Sequence, residues 1–466
     1  MARADVVVIG AGLAGMTAAI ALADAGAQVE VVARGHAATH WTAGGFDVAA
    51  PAGSHTSKQG IKRLAGRATH PYAIVGEEVS GALVALRSVL AAEGLEYRGE
   101  LGDPLRAVPT AIGGTRRAAI VPIAQAGALD PWKPGERLVV CGPAGFKDFW
   151  PDAIVASLRR PSVWSAGADS GDAAADERPE RIDALVVELP GLAGRRNLSA
   201  LNLAYLFDDP RWRTDALEHM AGALERSGAH RGGGRIALPA TLGLTDHAAA
   251  FDEALRILPL APFEVPLVSP SVPGLRLFAA LRAGLRRRGG RIVIGEGVAG
   301  IALDGKRVAS VAMAAAVRER VIRTGAVVLA TGGIAGGGLI GRANGQLVEP
   351  ILGLPVEAPP ADEWLAPDPF DPAGHPLEAA GIRTDADLRP LDARGKVVLA
   401  NVAIVGSMLA GQHYLSERCG DGVAIASGHR AASVLAAKTS MPAEPAKALR
   451  QPEPSAARRQ RAGSRG

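Results

Sequence analysis

A chain of 466 residues exceeds one hydrophobic core and calls for two or three domains, and 48% hydrophobic with 21% charged residues is the balance of a globular protein. The net charge of +4 arises entirely in residues 441–466, a Pro/Ala/Arg-rich stretch with six basic and two acidic side chains, so the folded body is neutral and nucleic acid is not an expected partner. Two distant cysteines, Cys141 and Cys419, exclude a CxxC centre or a cysteine-ligated iron–sulfur cluster, and no apolar run reaches the ~20 residues of a membrane span.

The first 35 residues read as strand, glycine turn, helix and strand. "ADVVVIG" is a buried-strand run, "MTAAIALADAG" a helix of small residues closed by Gly26, and "QVEVVA" a second strand. A strand so close to Met1 leaves no room for a cleavable signal peptide, so a cytoplasmic protein is expected. From "HWTAGGFDVAAP" to about residue 270 the pattern loosens into mixed α/β segments, among them the strand, loop and helix of "RLVVCGPAGFKDFWPDAIVASL". Residues 166–181 are polar and aromatic-free, the composition of a mobile surface loop.

Order returns with "SVPGLRLFAALRAGLRRRGG", a helix with Pro273 at its start and Gly289–Gly290 at its end. The strands "RIVIGEGVAGIALDG" and "RVASVAMAA" form a meander, and "AVVLATGGIAGGG" is a buried strand ending in glycines. A strand, a glycine-rich loop and a helix opened by Gly420, Asp421 and Gly422 complete the ordered chain. The expected architecture is α/β: a two-domain flavoprotein whose Rossmann-like nucleotide-binding domain comprises residues 1–50, 270–345 and 385–440. An α/β substrate-type domain, 51–269, is inserted into it, and 441–466 is a disordered basic tail.

Gly10, Gly12 and Gly15 have the GxGxxG spacing directly after a strand. Gly10 permits the turn, Gly12 lets backbone approach a phosphate, and Gly15 lets helix and strand pack closely. The carboxylate that normally closes the second strand and binds the adenosine ribose is absent. Ala33 stands there, followed by Arg34, and Glu30 lies three residues early. Arg34 suits a phosphate or a stacked ring. "ATGG", with Gly332 and Gly333, and "CGDG", with Gly420, Asp421 and Gly422, are the two other glycine signatures of such flavoproteins. Thr42, Gly44 and Gly45 fall where a small-residue loop meets the flavin ring.

Beyond these general signatures, the chain resembles the B-subunit family of anaerobic glycerol-3-phosphate dehydrogenases. The resemblance runs from the first strand to about residue 435. It rests on "HPYAIVG", "VPTAIGGTRRA", "CGPAGFKDFWPDAIVASL", "VVELPGL", "LPATLGL", "VPLVSPSVPGLRL", "NGQLVEPILGLPV" and "CGDGV". It implies a flavoprotein subunit paired with a larger FAD-bearing catalytic subunit, together oxidising sn-glycerol 3-phosphate to glycerone phosphate. Electrons then pass through a membrane-associated iron–sulfur subunit to a quinone, which places the chain at the inner face of the membrane through its partners. The cofactor implied is FMN, which has no adenosine ribose and would account for Ala33; FAD is the alternative.

Alcohol oxidation by hydride transfer needs a base for the hydroxyl proton, for which His40 and Asp47 are candidates, and a phosphate ester suits Arg116 or Arg117. His413 and Tyr414 lie near the flavin segment in sequence, and His70 is expected to fix a turn. No metal site is expected among the ten histidines. Two other functions fit the same residues: a flavoprotein-shaped scaffold that stabilises the catalytic subunit, or a free-standing FAD oxidoreductase of the fumarate reductase or ketosteroid dehydrogenase kind.

Overall fold

The computed structural model describes residues 2–164, 178–314 and 320–437, and the backbone of Leu449 and Arg450. The expected loop at 166–181 therefore falls largely, and the tail almost wholly, outside the described residues. What is described of the tail is a two-residue antiparallel pairing of Leu449 and Arg450 with Ala302 and Ile301.

The opening apolar run forms β1 (Ala2–Ile9), the small-residue helix α1 (Leu13–Asp24) follows the glycine turn, and β2 (Val29–Ala33) lies parallel to β1. All five residues of β2 are buried, as a strand covered on both faces requires. The main sheet runs, in spatial order, through Arg291–Ile294, β2, β1, Arg320–Leu329, Arg307–Ala314 and Gly297–Asp304. Arg320–Leu329 also pairs in parallel with Val402–Ile404. The stretch "RIVIGEGVAGIALDG" is thus two strands. Gly295, at φ +103°, turns the chain after Ile294, so that Arg291–Ile294 extends the parallel sheet and Gly297–Asp304 joins the antiparallel meander.

The last helix, Gly420–Ala436, packs directly on α1. A Cβ on Gly428 would lie 2.5 Å from the Ala14 carbonyl oxygen, so glycine sets how closely the two helices approach. Glu30 is spent inside this body: both its oxygens meet the Arg320 guanidinium, at 2.6 and 2.8 Å.

The second body has its own core around a four-stranded parallel sheet, ordered Ala261–Val265, Gly234–Pro239, Arg137–Pro143 and Arg181–Val187. Helices Pro151–Leu158, Ala200–Asp208, Pro210–Ser227 and His247–Ile257 accompany it. Arg276, from the helix Val272–Arg287, makes a fully buried two-pronged ion pair with Glu264 (2.6 and 3.0 Å) and donates to the carbonyls of Leu242 and Gly243.

The two cores meet later in the chain than a division at residue 50 implies. Ile61, Leu64, Tyr72, Val79, Leu86, Leu90 and Leu105 pack in the first core, and the second begins at Ala107. The helices Ser57–Ala65 and Val79–Ala92 bury their apolar faces against the nucleotide-type body, and an apolar stripe does not disclose which neighbour it will meet.

Candidate functional site

At the carboxyl end of β1 the three glycines have distinct tasks. Gly10 adopts φ +114°, and a Cβ there would overlap the carbonyl oxygen of Ala330; a Cβ on Gly15 would overlap that of Gly10. Gly12 is different. Its Cβ position is clear of all but the Ala37 side chain, 3.7 Å away, and no side chain caps the N-terminus of α1. Gly10 and Gly15 are therefore explained by packing, whereas Gly12 leaves an uncapped helix N-terminus facing open space, the feature that receives a phosphate. These residues leave room for a phosphate group at the start of α1.

Arg34 leaves the end of β2 exposed. Its aliphatic part lies 3.8 Å from the Cβ position of Gly297, and its Nη2 3.9 Å from that of Gly337. It thus spans from the meander to the glycine loop that contains Gly332 and Gly333. That loop folds on itself: Gly336 and Gly338 N–H donate to the carbonyls of Gly332 and Gly333, and a Cβ on Gly333 would lie 2.6 Å from the Ser407 carbonyl oxygen.

The 40–47 segment is held by its own turn and by side chains from both bodies. Thr42 Oγ1 accepts the Gly44 N–H, Gln125 Nε2 donates to the Ala43 carbonyl (2.8 Å), and Tyr97 donates its hydroxyl to the Gly44 carbonyl (2.7 Å). Cβ atoms on Gly44 and Gly45 would press on Pro273 (2.6 Å) and the Ile120 carbonyl (3.0 Å). His40 stacks on His36 with ring centres 4.4 Å apart and meets Phe278 edge-on. Its Nε2 is buried without a hydrogen bond among the described residues, and burial, then the charge of His36, lower its pKa.

Asp47, Arg116 and Asp421 converge from three parts of the chain. Arg116, on the hairpin strand Thr115–Ala118, pairs with Asp47 Oδ1 at 2.7 Å. The Asp47 N–H donates to Asp421 Oδ2 at 2.9 Å, while the Asp47 carbonyl accepts the N–H groups of Asp421 and Gly422. Burial, then the Asp47 charge, push the Asp421 carboxyl up to about 7. The N-terminus of the last helix is therefore taken by the Asp47 backbone, and a Cβ on Gly422 would overlap the Tyr72 hydroxyl. Arg117 turns elsewhere, donating to the Ser54 carbonyl. Gly420 is half-buried at the start of the helix.

Behind this node His70, Glu417 and Cys419 form a buried cluster, their ligand atoms within 4.8 Å of one another. The Tyr72 N–H donates to His70 Nδ1, so Nε2 carries the ring hydrogen and donates to Glu417 (3.2 Å). That leaves His70 no lone pair for a metal, and the cluster is held as a hydrogen-bond network with the Arg67–Glu417 ion pair. The His413 N–H also donates to Glu417, and burial raises the pKa of Tyr414. Sequence spacing could not find this cluster, because 347 residues separate His70 from Glu417.

The chain matches the family described as FAD binding domain over residues 5–423. It is 30% identical over 444 residues to the B-subunit of the anaerobic glycerol-3-phosphate dehydrogenase of Yersinia pestis, a match covering 91% of this chain and 96% of the relative. The chain belongs to the anaerobic glycerol-3-phosphate dehydrogenase B-subunit family. The probable B-subunit of Halobacterium salinarum is also 30% identical, over 93% of this chain and 98% of its own. Among solved structures, 3-ketosteroid delta1-dehydrogenase from Sterolibacterium denitrificans is similar with a TM-score of 0.41 and 12% identity, covering 94% of this chain and all of that one. The fold is that of an FAD-binding flavoprotein, and the family match supports a flavin cofactor and a place among flavin-dependent oxidoreductases. Among the described residues no helix is long and apolar enough to cross a membrane.

Proposed function

We propose that this chain participates in the oxidation of sn-glycerol 3-phosphate to glycerone phosphate. In this reading it works with a larger FAD-bearing subunit and passes electrons through a membrane-associated iron–sulfur subunit to a quinone, lying in the cytoplasm against the membrane. The reading is carried by the Asp421–Asp47–Arg116 node, which joins the flavin-type body to the inserted one. The flavin supplies the hydride acceptor when bound. Asp421, with its carboxyl near 7, is suited to take the hydroxyl proton at neutral pH. Arg116 sits beside it with the charge to draw in a phosphate ester.

One observation favours the scaffold reading instead: the N–H groups of Asp421 and Gly422 already serve Asp47 and are not available to a flavin. The test is to purify the chain with its partner subunits, add glycerol 3-phosphate anaerobically and follow flavin bleaching in complexes carrying wild type or Asp421→Asn. A slower bleaching of flavin assigned to this chain supports the redox role. A colourless chain that leaves the partner's bleaching unchanged supports the scaffold.

A further inference from the structure

The absence of a carboxylate at Ala33 is answered one strand away. Ile294 pairs with Ala33, and the Gly295 N–H donates to the Ala33 carbonyl at 2.9 Å, so the strand beside β2 ends level with it. The positive φ of Gly295 then turns the chain, and the next residue is Glu296. Glu296 Oε2 is buried and has no hydrogen-bond partner among the described residues. A buried carboxylate oxygen left without a donor is costly, and such atoms are nearly always satisfied in a complete structure. A Cβ on Gly297, the following residue, would lie 3.8 Å from the stem of Arg34, so Glu296 lies at the same end of β2 as the missing acid.

We propose that Glu296 supplies the ribose-binding carboxylate that β2 lacks, and that the chain takes FAD rather than FMN. Vicinal ribose hydroxyls are the donors that an acceptor-only carboxylate needs, and a phosphate would be repelled by it. FMN has no adenosine ribose and would leave Glu296 unsatisfied. The proposal rests on the flavin reading above and adds which flavin is held and by which residue.

The whole chain, stripped of flavin, is titrated with FAD and with FMN by fluorescence, and the flavin it carries from cells is identified by chromatography. Wild type is expected to carry FAD. Glu296→Ala is expected to weaken FAD roughly 10- to 100-fold, the loss of hydrogen bonds to a charged group, with FMN affinity unchanged. Adding Ala33→Glu to Glu296→Ala, which returns the carboxylate to the end of β2, is expected to restore FAD binding. An unchanged FAD affinity in Glu296→Ala, equal losses for both flavins, or FMN carried from cells would each overturn the assignment. If wild type binds neither flavin, the flavin reading itself fails, and that result is distinct from the others. Unchanged FMN binding by Glu296→Ala also shows that the variant is folded.

Discussion

The Asp47 backbone and Asp421 hold each other reciprocally: the Asp47 N–H donates to Asp421 Oδ2 at 2.9 Å, and the Asp421 N–H donates to the Asp47 carbonyl at 3.1 Å, across 374 residues of chain. This lock keeps two carboxylates close enough that the charge on one opposes ionisation of the other. Arg116 relieves part of that opposition.

The first prediction concerns pH. If Asp421 takes the substrate proton, the rate rises with pH through about 7. Asp47→Asn removes a negative neighbour and moves that limb to lower pH; Arg116→Gln removes a positive one and moves it higher. Steady-state rates of the assembled complex between about pH 5.5 and 8.5 read both shifts. Movement in the opposite directions would exclude Asp421 as the titrating group.

The same group affects stability with a defined sign. Its folded pKa lies above the unfolded 3.8, so the folded state binds more protons, and stability falls as pH rises from about 4 to about 7. Asp421→Asn, which keeps an acceptor for the Asp47 N–H, is expected to flatten this slope in denaturant titrations at about pH 5 and 8. An unchanged slope counts against the Asp421 carboxyl as its source.

Glu417 behaves oppositely. Burial raises its carboxyl, but hydrogen bonds from His70, Arg67 and the His413 backbone together prevail and bring it to about 2. Its stabilisation is full above the unfolded 4.5 and is lost as pH falls through about 2. Glu417→Gln is expected to cost about 2 kcal/mol at pH 7 and much less at pH 3, read as the difference in unfolding free energy.

The glycine turn separates folding from binding. Gly12→Ala places its Cβ in open space, so the thermal midpoint should hold within a few degrees while flavin affinity drops about tenfold. Gly10→Ala meets the Ala330 carbonyl in a left-handed conformation and should cost about 2–4 kcal/mol of stability. Equal stability losses in the two variants would show that Gly12 is also a packing glycine.

The buried pair of the inserted body gives a further test. Removing one partner by Arg276→Met strands the Glu264 charge and should cost about 3–5 kcal/mol, whereas Arg276→Met with Glu264→Leu should recover much of that. Chemical denaturation of the three proteins measures the difference.

The local elements were legible because they depend on short-range patterns. Continuous apolar runs gave β1 and β2, small residues ending at Gly26 gave α1, and Gly10, Gly12 and Gly15 marked the turn. The same patterns could not say which core would bury Ile61, Leu64 and Leu86, nor that Gly295 would divide one apolar stretch between parallel and antiparallel pairings. By itself the sequence determined the nucleotide-type fold, the glycine turn after β1 and the family. Only the tertiary structure brought Asp421 and Arg116 to Asp47, tied Glu417 to His70, and paired Ile294 and Gly295, which precede Glu296, with Ala33. Strand pairing and helix packing join residues hundreds of positions apart, and a carboxylate missing from one strand is visible in the sequence, whereas the carboxylate in the turn after the neighbouring strand is placed only by the register.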